Sequence, residues 1–309
     1  MNIEGRVIKS TGSWYKIRLS TGELIEARTR GKMRTQGIQS TNPIAVGDNV
    51  VLSLRPEGDY IIEEIQDRKN YIIRKATNLS KQTHIIAANI DLALIMTSII
   101  QPNLKLGFLD RMLVTAEAYN IPALLIFNKT DLLSDAEKDY LEDLRGAYKT
   151  VGYESLSISL AENENVDKLK AIVSGKTVLI SGHSGVGKSS LVNAIDPSLQ
   201  LRIAEISNAN KKGQHTTTFA ELHEVDHDTA IIDTPGLKSF GLTAIEATEL
   251  KGFFPEMHLL SPGCKFHNCT HINEPKCKVR EAFENSELPW FRYEHYLHFY
   301  EEIKTQSIS

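Results

Sequence analysis

The sequence predicts a multidomain chain: a small N-terminal β-barrel, a central α/β domain built on a phosphate-binding loop (P-loop), and a C-terminal metal-binding region with a helical tail. Short alternating strands fill the first part of the chain, and buried strands alternate with helices in the middle. All three cysteines lie between positions 264 and 277. We expect the domains to span residues 1–72, 73–245 and 246–309.

The N-terminal region contains short runs of strand-forming residues separated by glycine and asparagine. Five strands suit an OB-fold, although the same alternation fits any small β-barrel. Residues 28–34 lie between two of the strands and include four Lys or Arg. Such a loop either contacts RNA phosphates or is an ordinary solvated loop. The predicted strands are Gly5–Lys9, Trp14–Leu19, Leu24–Ala27, Asp48–Leu54 and Tyr60–Ile65.

The central region alternates strands and helices in the pattern of a parallel α/β sheet. Its predicted strands are Ile90–Met96, Pro122–Phe127, Tyr153–Ile158, Lys176–Ser181 and Thr229–Asp233. Its predicted helices are Phe108–Tyr119, Asp135–Lys149, Val166–Val173 and Lys188–Ile195.

The phosphate loop is the strongest single motif in the chain. The pattern G-x-x-x-x-G-K-[ST] is complete and lies between a predicted buried strand and a helix. Glycines allow backbone N–H groups to surround phosphate oxygens, and the helix N-terminus favours negative charge. We expect Lys188 to contact the β- and γ-phosphates and the Ser189 hydroxyl to ligate Mg²⁺. The predicted phosphate-binding residues are Gly182, His183, Ser184, Gly185, Val186, Gly187, Lys188, Ser189 and Ser190.

An N-K-T-D motif follows another predicted strand, at the sheet edge where open α/β sheets bind ligands. It consists of Asn128, Lys129, Thr130 and Asp131. The carboxylate can accept hydrogen bonds from guanine N1 and N2, a donor pair that adenine lacks. Alone, the motif would be a polar surface turn; beside the phosphate loop it predicts a guanine site. Ser159, after the next strand, either supports the guanine or simply ends its strand.

A third motif, D-T-P-G, follows the strand that ends at Asp233. We expect Asp233 to hold a water of Mg²⁺ and the Gly236 N–H to sense the γ-phosphate. The next residue is Leu237, where many GTPases place a glutamine that orients the attacking water. Leucine cannot do this, so another group must position the water.

Residues 211–218 supply the candidates for that role and for the magnesium shell. Thr217 is the first choice for a hydroxyl ligand of Mg²⁺, and Thr216 the second. His215 is either a catalytic residue that positions or deprotonates water, or a solvent-facing loop histidine. We count Lys188 and Thr217 with His215 as the catalytic set.

The cysteines form a second constellation, C-x4-C-x-H-x5-C, made of Cys264, Cys269, His271 and Cys277. Three thiolates and an imidazole suit one closed tetrahedral Zn²⁺ site per chain. The alternatives are a disulfide with one spare thiol, or buried free cysteines. An odd cysteine count and the lack of a secretory leader argue against disulfides.

The helical tail is rich in aromatic residues, and Tyr293, Tyr296 and Tyr300 share one predicted helix face. Packing of this stripe on the α/β core is favoured over base stacking. The chain of 309 residues has a net charge of −4, so it is not a basic nucleic-acid coat. No leader or long apolar run is present, and we expect a cytoplasmic enzyme without membrane attachment.

The order of the motifs is unusual, because N-K-T-D precedes the phosphate loop and D-T-P-G comes last. With G-x-H-T-T-T and the C-terminal cysteines, the chain resembles the circularly permuted GTPases of the small-ribosomal-subunit-dependent GTPase A family (RsgA, or YjeQ). The resemblance implies an OB-fold, a circularly permuted GTPase domain and a zinc domain. The zinc ligands and the proposed catalytic histidine of the family fall on the residues named above.

The resemblance also implies function: GTP as substrate with Mg²⁺, late assembly of the small ribosomal subunit, hydrolysis stimulated by that subunit, and contact with its rRNA. We expect the protein to be a monomer. His183 departs from the family, which usually has glutamine there. Gly185 stands where potassium-activated GTPases have asparagine. Two alternatives are open: a slow nucleotide-switched RNA-binding chaperone, favoured by Leu237, and a GTPase acting on another RNA such as a tRNA.

Overall fold

The computed structural model describes residues 3–29, 43–75, 83–199, 220–226, 228–233, 242 and 245–308. The chain forms two compact units, each built from two stretches of sequence. The first unit comprises Met1–Leu94 and Val166–Ser239, and the second comprises Ile95–Asn165 and Phe240–Ser309.

The described residues contain thirteen strands and seven α-helices. The strands are β1 (Ile3–Ser10), β2 (Tyr15–Leu19), β3 (Leu24–Thr29), β4 (Asn49–Leu54), β5 (Tyr60–Ile65), β6 (Tyr71–Lys75), β7 (Thr83–Ala88), β8 (Leu92–Thr97), β9 (Ala123–Phe127), β10 (Ser155–Ser157), β11 (Thr177–Gly182), β12 (Glu221–Glu224) and β13 (Ala230–Asp233). The helices are α1 (Leu106–Ala118), α2 (Asp135–Thr150), α3 (Val166–Val173), α4 (Lys188–Ile195), α5 (Pro255–Leu260), α6 (Lys278–Glu284) and α7 (Trp290–Ile308).

The predicted N-terminal barrel is present in the first unit. Its strands are ordered β1-β2-β3-β5-β4, and a β1–β4 pairing closes the sheet. The side chains alternate as predicted: Tyr15, Ile17 and Leu19 of β2 are buried, and Lys16 between them is exposed. These residues pack with Val50 in an apolar core whose burial stabilises the barrel.

The barrel is continuous with the strands that carry the phosphate loop. Strand β1 pairs antiparallel with β12, β12 pairs with β13, and β13 runs parallel to β11. Lys9 on β1 forms an ion pair with Glu221 on β12 at 2.9 Å. Arg6 Nη2 donates to Thr177 Oγ1, at the start of β11, at 2.5 Å. The barrel and these α/β strands are therefore parts of one sheet.

The hairpin β6–β7 is not predicted by the sequence pattern. A buried ion pair stabilises the chain beside it: Arg68 donates to both oxygens of Asp48, at 2.6 and 2.7 Å. Gly47 lies next to the end of the hairpin with φ +91°, and a Cβ there would meet the Ala88 carbonyl oxygen at 2.2 Å. This close approach requires glycine.

The second unit contains the predicted strands and helices around the N-K-T-D motif. Strand β9 lies between β10 and β8, and β10 runs parallel to β9. Strand β8, which enters this unit at Ile95, is buried along its whole length, and α1 buries Leu109, Met112 and Leu113. Helix α2 begins with a capping box formed by Ser134 and Glu137.

A buried charge cluster connects the C-terminal helix α7 with α1 and α5. Arg292, fully buried, donates to Asp110 at 2.8 Å and to Glu256 at 2.7 Å. Tyr148 and His295 also hydrogen-bond to Asp110, at 2.9 and 2.5 Å. Burial disfavours the charged guanidinium, but the two carboxylates outweigh this effect and raise the pKa of Arg292.

Most aromatic rings of the tail are buried, and their core includes Val114 of α1, in the predicted α/β region. Tyr293 and Tyr296 are buried with Phe299 in a core that also includes Phe254, the residue before α5. Trp290 is the exception, with 61% of its surface exposed. Among the described helices, none is long and apolar enough to cross a membrane.

Candidate nucleotide-binding loops and metal centre

The phosphate loop, residues 182–189, connects a buried strand to a helix as predicted. Strand β11 buries Val178, Leu179 and Ile180, and the loop leads directly into α4. Gly185 and Gly187 have φ of +85° and +102°, a conformation that side chains rarely adopt. The glycines of the motif therefore allow the turn that directs backbone N–H groups toward an anion at the helix N-terminus.

The lysine of this loop is held against its own backbone. Lys188 Nζ donates to the carbonyl oxygens of Gly182 and His183, each at 2.8 Å. Ser189 and Ser190 are half-buried in the first turn of α4. The ammonium and the hydroxyls thus belong to one short stretch of chain, as phosphate and Mg²⁺ binding requires.

Of the other residues predicted to act at the phosphates or at Mg²⁺, the structure describes the backbone of Asp233. Asp233 ends β13, whose Ile232 is paired with Leu179 of β11, so its backbone lies on the strand next to the phosphate-loop strand. Gly236 lies outside the described residues, and so do Thr217, Thr216 and His215.

The N-K-T-D loop, residues 128–131, lies in the second unit at the carboxyl end of β9. Asn128 is buried, and its Oδ1 accepts a 3.4 Å hydrogen bond from the Leu160 N–H. Lys129 has a left-handed φ of 68°, and Thr130–Leu132 form a single 3-10 turn. Asp131 is half-buried in that turn.

The predicted contribution of Ser159 has a clear geometric basis. Its Oγ accepts a hydrogen bond from the Glu162 N–H at 3.1 Å and lies 2.6 Å from Asp131 Oδ1. Because a carboxylate only accepts hydrogen bonds, the hydroxyl proton must point at Asp131. Ser159 therefore fixes the orientation of the carboxylate predicted to read guanine.

The four predicted zinc ligands come together in the second unit. Their ligand atoms all lie within 4.8 Å of one another, and all three cysteines are free thiols. Cys264 Sγ is 3.9 Å from Cys277 Sγ, and His271 Nδ1 is 3.3 Å from Cys277 Sγ. A tetrahedral zinc with ordinary Zn–S and Zn–N bonds places sulfur atoms about 3.8 Å apart and sulfur about 3.5 Å from nitrogen. The donor set and its spacing fit Zn²⁺.

The tautomer of His271 follows from its neighbour Ser261. The Ser261 hydroxyl donates its one proton to the Met257 carbonyl at 2.7 Å, and its oxygen lies 2.9 Å from His271 Nε2. The oxygen must therefore accept from Nε2–H, which leaves Nδ1 unprotonated and facing the sulfurs. This is the form of histidine that ligates a metal.

The protonation of the cluster is controlled by burial. Burial, and to a lesser degree the charge of Lys251, lowers the pKa of His271 to about 4. Burial is also the main reason that the pKa of Cys269 is raised to about 12. A divalent cation reverses the second effect, because it stabilises thiolates directly.

The backbone around the predicted zinc ligands is held by hydrogen bonds from residues outside the donor set, and one ligand has an unusual conformation. His271 has a left-handed φ of 62°. The Glu274 carboxylate accepts hydrogen bonds from Thr270 and Ile272 N–H groups at 2.6 and 3.0 Å. Burial opposes ionisation of Glu274, but a 2.6 Å hydrogen bond from the Thr270 hydroxyl, together with these backbone bonds, outweighs it and lowers the pKa of Glu274 to about 2. Tyr293 of α7 donates to the His271 carbonyl at 2.6 Å, which links the tail to the centre.

Three supporting residues were not predicted from the sequence: Ser261, Glu274 and Glu164, which accepts from Thr130 Oγ1 at 2.9 Å. Serine and glutamate at these positions have no diagnostic spacing. A polar residue close to a motif is the only available signal, and most such residues are solvated.

Comparison with known proteins places these motifs in a family. The model of the RsgA GTPase family matches residues 65–243, and that of the RsgA N-terminal domain matches residues 4–62. A Small ribosomal subunit biogenesis GTPase RsgA of Flavobacterium johnsoniae is 51% identical over 95% of this chain and 91% of that protein. A protein of the same name from Christiangramia forsetii is 48% identical over 97% and 96%.

Comparison with solved structures gives the same family. YjeQ from Thermotoga maritima matches with a TM-score of 0.81 and 31% identity over 98% of this chain and 99% of that one. YloQ, described as a circularly permuted GTPase, matches with a TM-score of 0.76 and 31% identity over 99% and 96%. The permuted order of motifs and the predicted fold class are thereby confirmed. The chain belongs to the RsgA family of circularly permuted GTPases.

Proposed function

We propose that this GTPase acts as a late-stage assembly factor of the small ribosomal subunit, which stimulates its GTP hydrolysis. The observation that carries the proposal is the similarity, along nearly the whole chain, to proteins named small ribosomal subunit biogenesis GTPases. The residue assignments below rest on the motifs and on the geometry of each loop.

We assign guanine recognition to Asn128 and Asp131, with Ser159 orienting the carboxylate through its 2.6 Å hydrogen bond. The Lys129 stem covers the base face, and Thr130 completes the loop. A carboxylate held in one orientation accepts from the paired N1 and N2 donors of guanine. It rejects adenine, which would leave it without partners.

We assign the phosphates to the backbone of residues 182–190 and to Lys188. Mg²⁺, when bound, neutralises charge on the β- and γ-phosphate oxygens, and Ser189, Thr217 and Asp233 are the residues to hold it. Gly236 senses the γ-phosphate, and His215 positions the attacking water, since Leu237 cannot. These residues account for binding and hydrolysis without a glutamine.

We assign one Zn²⁺ per chain to Cys264, Cys269, His271 and Cys277. The four donors form a closed set, which suits a structural rather than a catalytic metal. The metal stabilises the loops between residues 264 and 277, in a region where the hydrogen bonds of Glu274 and Tyr293 already fix the backbone.

We further propose that the protein is a cytoplasmic monomer organised as residues 1–72, 73–245 and 246–309, and that the barrel contacts rRNA. Described residues of the barrel support an RNA contact: Trp14 is 47% exposed, and the Arg28 guanidinium lies 5.9 Å from its ring centre. An exposed aromatic ring beside a cation is suited to stack on a base and pair with a phosphate. Arg28 also pairs with Asp59 at 2.5 Å, and residues 30–34 of the basic loop lie outside the described residues.

The proposal is tested by sedimentation with purified ribosomal subunits. We expect the protein to sediment with small subunits in the presence of a non-hydrolysable GTP analogue and to remain in the supernatant with GDP. Large subunits are the matched control, and the protein should not sediment with them. Equal binding to both subunits, or binding to free tRNA with similar affinity, would favour the alternative of another RNA partner.

A further inference from the structure

A groove on the second unit is not used by either loop or by the metal centre. Its volume is about 400 Å³, and α2 and the residues just before α7 line it. A groove of this volume accommodates a few side chains or a small ligand. The apolar part of the lining is Leu106, Leu144, Ala147, Leu288, Pro289 and Phe291.

Two aromatic residues lining the groove are exposed. Tyr140 has 46% of its surface exposed and Trp290 has 61%, whereas the neighbouring Phe291 is buried. Trp290 and Phe291 contact edge to face, with ring centres 6.0 Å apart, so the exposed tryptophan ring packs against a buried neighbour. Large exposed aromatics around an apolar groove are characteristic of protein-binding surfaces.

The charged residues that line the groove are Asp143 and Glu287, and both are acidic. In the part of the chain that the structure describes, neither carboxylate forms an ion pair. Glu287 accepts a 3.4 Å hydrogen bond from the Asn285 side chain. Lys278 lies near enough to Glu287 for their charges to interact, but its ion pair is with Glu281, at 2.9 Å. Exposed carboxylates that form no ion pair attract lysine and arginine and repel the phosphates of RNA.

We propose that this groove binds a segment of a partner protein in which an apolar side chain is flanked by lysine or arginine. The apolar side chain packs between Leu144 and Leu288, and the neighbouring cation pairs with Asp143 or Glu287 and contacts the Trp290 ring. The charge of the lining selects a polypeptide over RNA. This inference does not depend on whether the RNA partner of the protein is rRNA or another RNA.

Trp290 provides the readout. The chain has two tryptophans, Trp14 and Trp290, so the variant Trp14→Phe leaves Trp290 as the sole reporter. The full-length variant is titrated at about 0.1 M salt, where surface charges are only partly screened. The probes are an acetylated and amidated Lys-Leu-Lys-Leu-Arg peptide, a Glu-Leu-Glu-Leu-Glu peptide and oligouridylate. We expect a saturable change of Trp290 fluorescence with the basic peptide alone.

Charge reversal tests the contacts. Asp143→Lys and Glu287→Lys should each weaken binding of the basic peptide several-fold, and the two together about tenfold or more. Asp139→Lys, on the same helix outside the lining, is the matched control and should change it less than twofold. Unchanged thermal unfolding midpoints identify folded variants.

Three results would overturn the proposal. The first is no change in Trp290 fluorescence at basic-peptide concentrations up to millimolar, and the second is an equal fluorescence change with the acidic peptide. The third is a folded double variant, Asp143→Lys with Glu287→Lys, that binds the basic peptide as tightly as the parent protein does. A response to oligouridylate would identify the groove as an RNA surface instead.

Discussion

The phosphate loop and the N-K-T-D loop are built by different means. The first depends on backbone conformation, with Gly185 and Gly187 in left-handed conformations. The second depends on side chains, with the Asp131 carboxylate oriented by Ser159 and the Asn128 amide buried. Phosphates are shared by all nucleotides and the base is not, so backbone groups suit the first task and an oriented carboxylate suits the second.

This difference has an energetic consequence. Substitutions in the phosphate loop should weaken the binding of all nucleoside triphosphates to the same degree. Substitutions around Asp131 should instead alter the preference between bases.

Lys188→Ala should have the largest effect on binding. Removing a cation that contacts phosphates costs about 2–5 kcal/mol, roughly 30- to 5,000-fold in affinity, and hydrolysis should fall as well. Titration with a fluorescent GTP analogue measures this loss. Lys69→Ala, which removes an exposed lysine paired with Asp91, is the control. If Lys188→Ala binds GTP normally, the phosphate-loop assignment is wrong.

His215→Ala should reduce subunit-stimulated hydrolysis by about 10²-fold while nucleotide affinity stays within about twofold, because a group that acts only in the transition state does not contribute to ground-state binding. Single-turnover release of phosphate measures the rate. His223→Ala, a half-buried histidine on β12, is the matched control. Normal hydrolysis by His215→Ala on small subunits would show that another group positions the water.

Asp131→Asn should change the base preference. Loss of two hydrogen bonds to a carboxylate should weaken GTP binding by about 2–3 kcal/mol, roughly 30- to 150-fold. The new amide can pair with xanthine, so binding of xanthosine triphosphate should improve. Competition between GTP, xanthosine triphosphate and ATP measures the preference. Asp135→Asn, at a fully exposed position, should change nothing. Wild-type protein that binds ATP as tightly as GTP would contradict the assignment.

Ser159→Ala should have a smaller effect of the same kind. In this proposal the Ser159 hydroxyl orients Asp131 without contacting the base. Loss of the hydroxyl should therefore weaken GTP binding by about 1 kcal/mol, roughly fivefold. Because inosine triphosphate lacks the N2 donor, the preference for GTP over it should fall too. Ser157→Ala, two residues earlier, is the control. A loss of stability with an unchanged base preference would assign Ser159 a purely structural role.

Cys269→Ser should separate the metal centre from both loops. We expect the variant to lose zinc and to unfold at a lower temperature, because the metal stabilises the C-terminal loops. GTP affinity should stay within about twofold. Metal analysis and thermal unfolding provide the measurements, and His267→Ala, an exposed histidine between two of the ligands, should keep its zinc. Reduced, freshly purified wild-type protein without zinc would exclude the metal assignment.

Local patterns were sufficient to predict much of the fold. The barrel strands and the helices α3 and α4 follow from alternation and periodicity, and the cysteine spacing identified a cluster whose ligand atoms do converge. These features depend on residues close together in sequence, where period and spacing carry the information.

Long-range partnerships could not be predicted in the same way. Arg292 reads as a surface cation in an aromatic helix, yet it is fully buried between Asp110 and Glu256. Likewise, nothing in the sequence indicates that Ser261 sets the tautomer of His271. Such pairs are created when elements pack, and each partner alone resembles an ordinary polar residue.

The central claim is that this chain is a GTPase whose turnover depends on the small ribosomal subunit. The most direct measurement is phosphate release from GTP with and without purified small subunits, with ATP and large subunits as controls. We predict that small subunits accelerate GTP hydrolysis at least about tenfold and leave ATP unhydrolysed, since Leu237 cannot orient the attacking water in the free enzyme. The same slow rate with and without subunits, or equal hydrolysis of ATP, would contradict the claim.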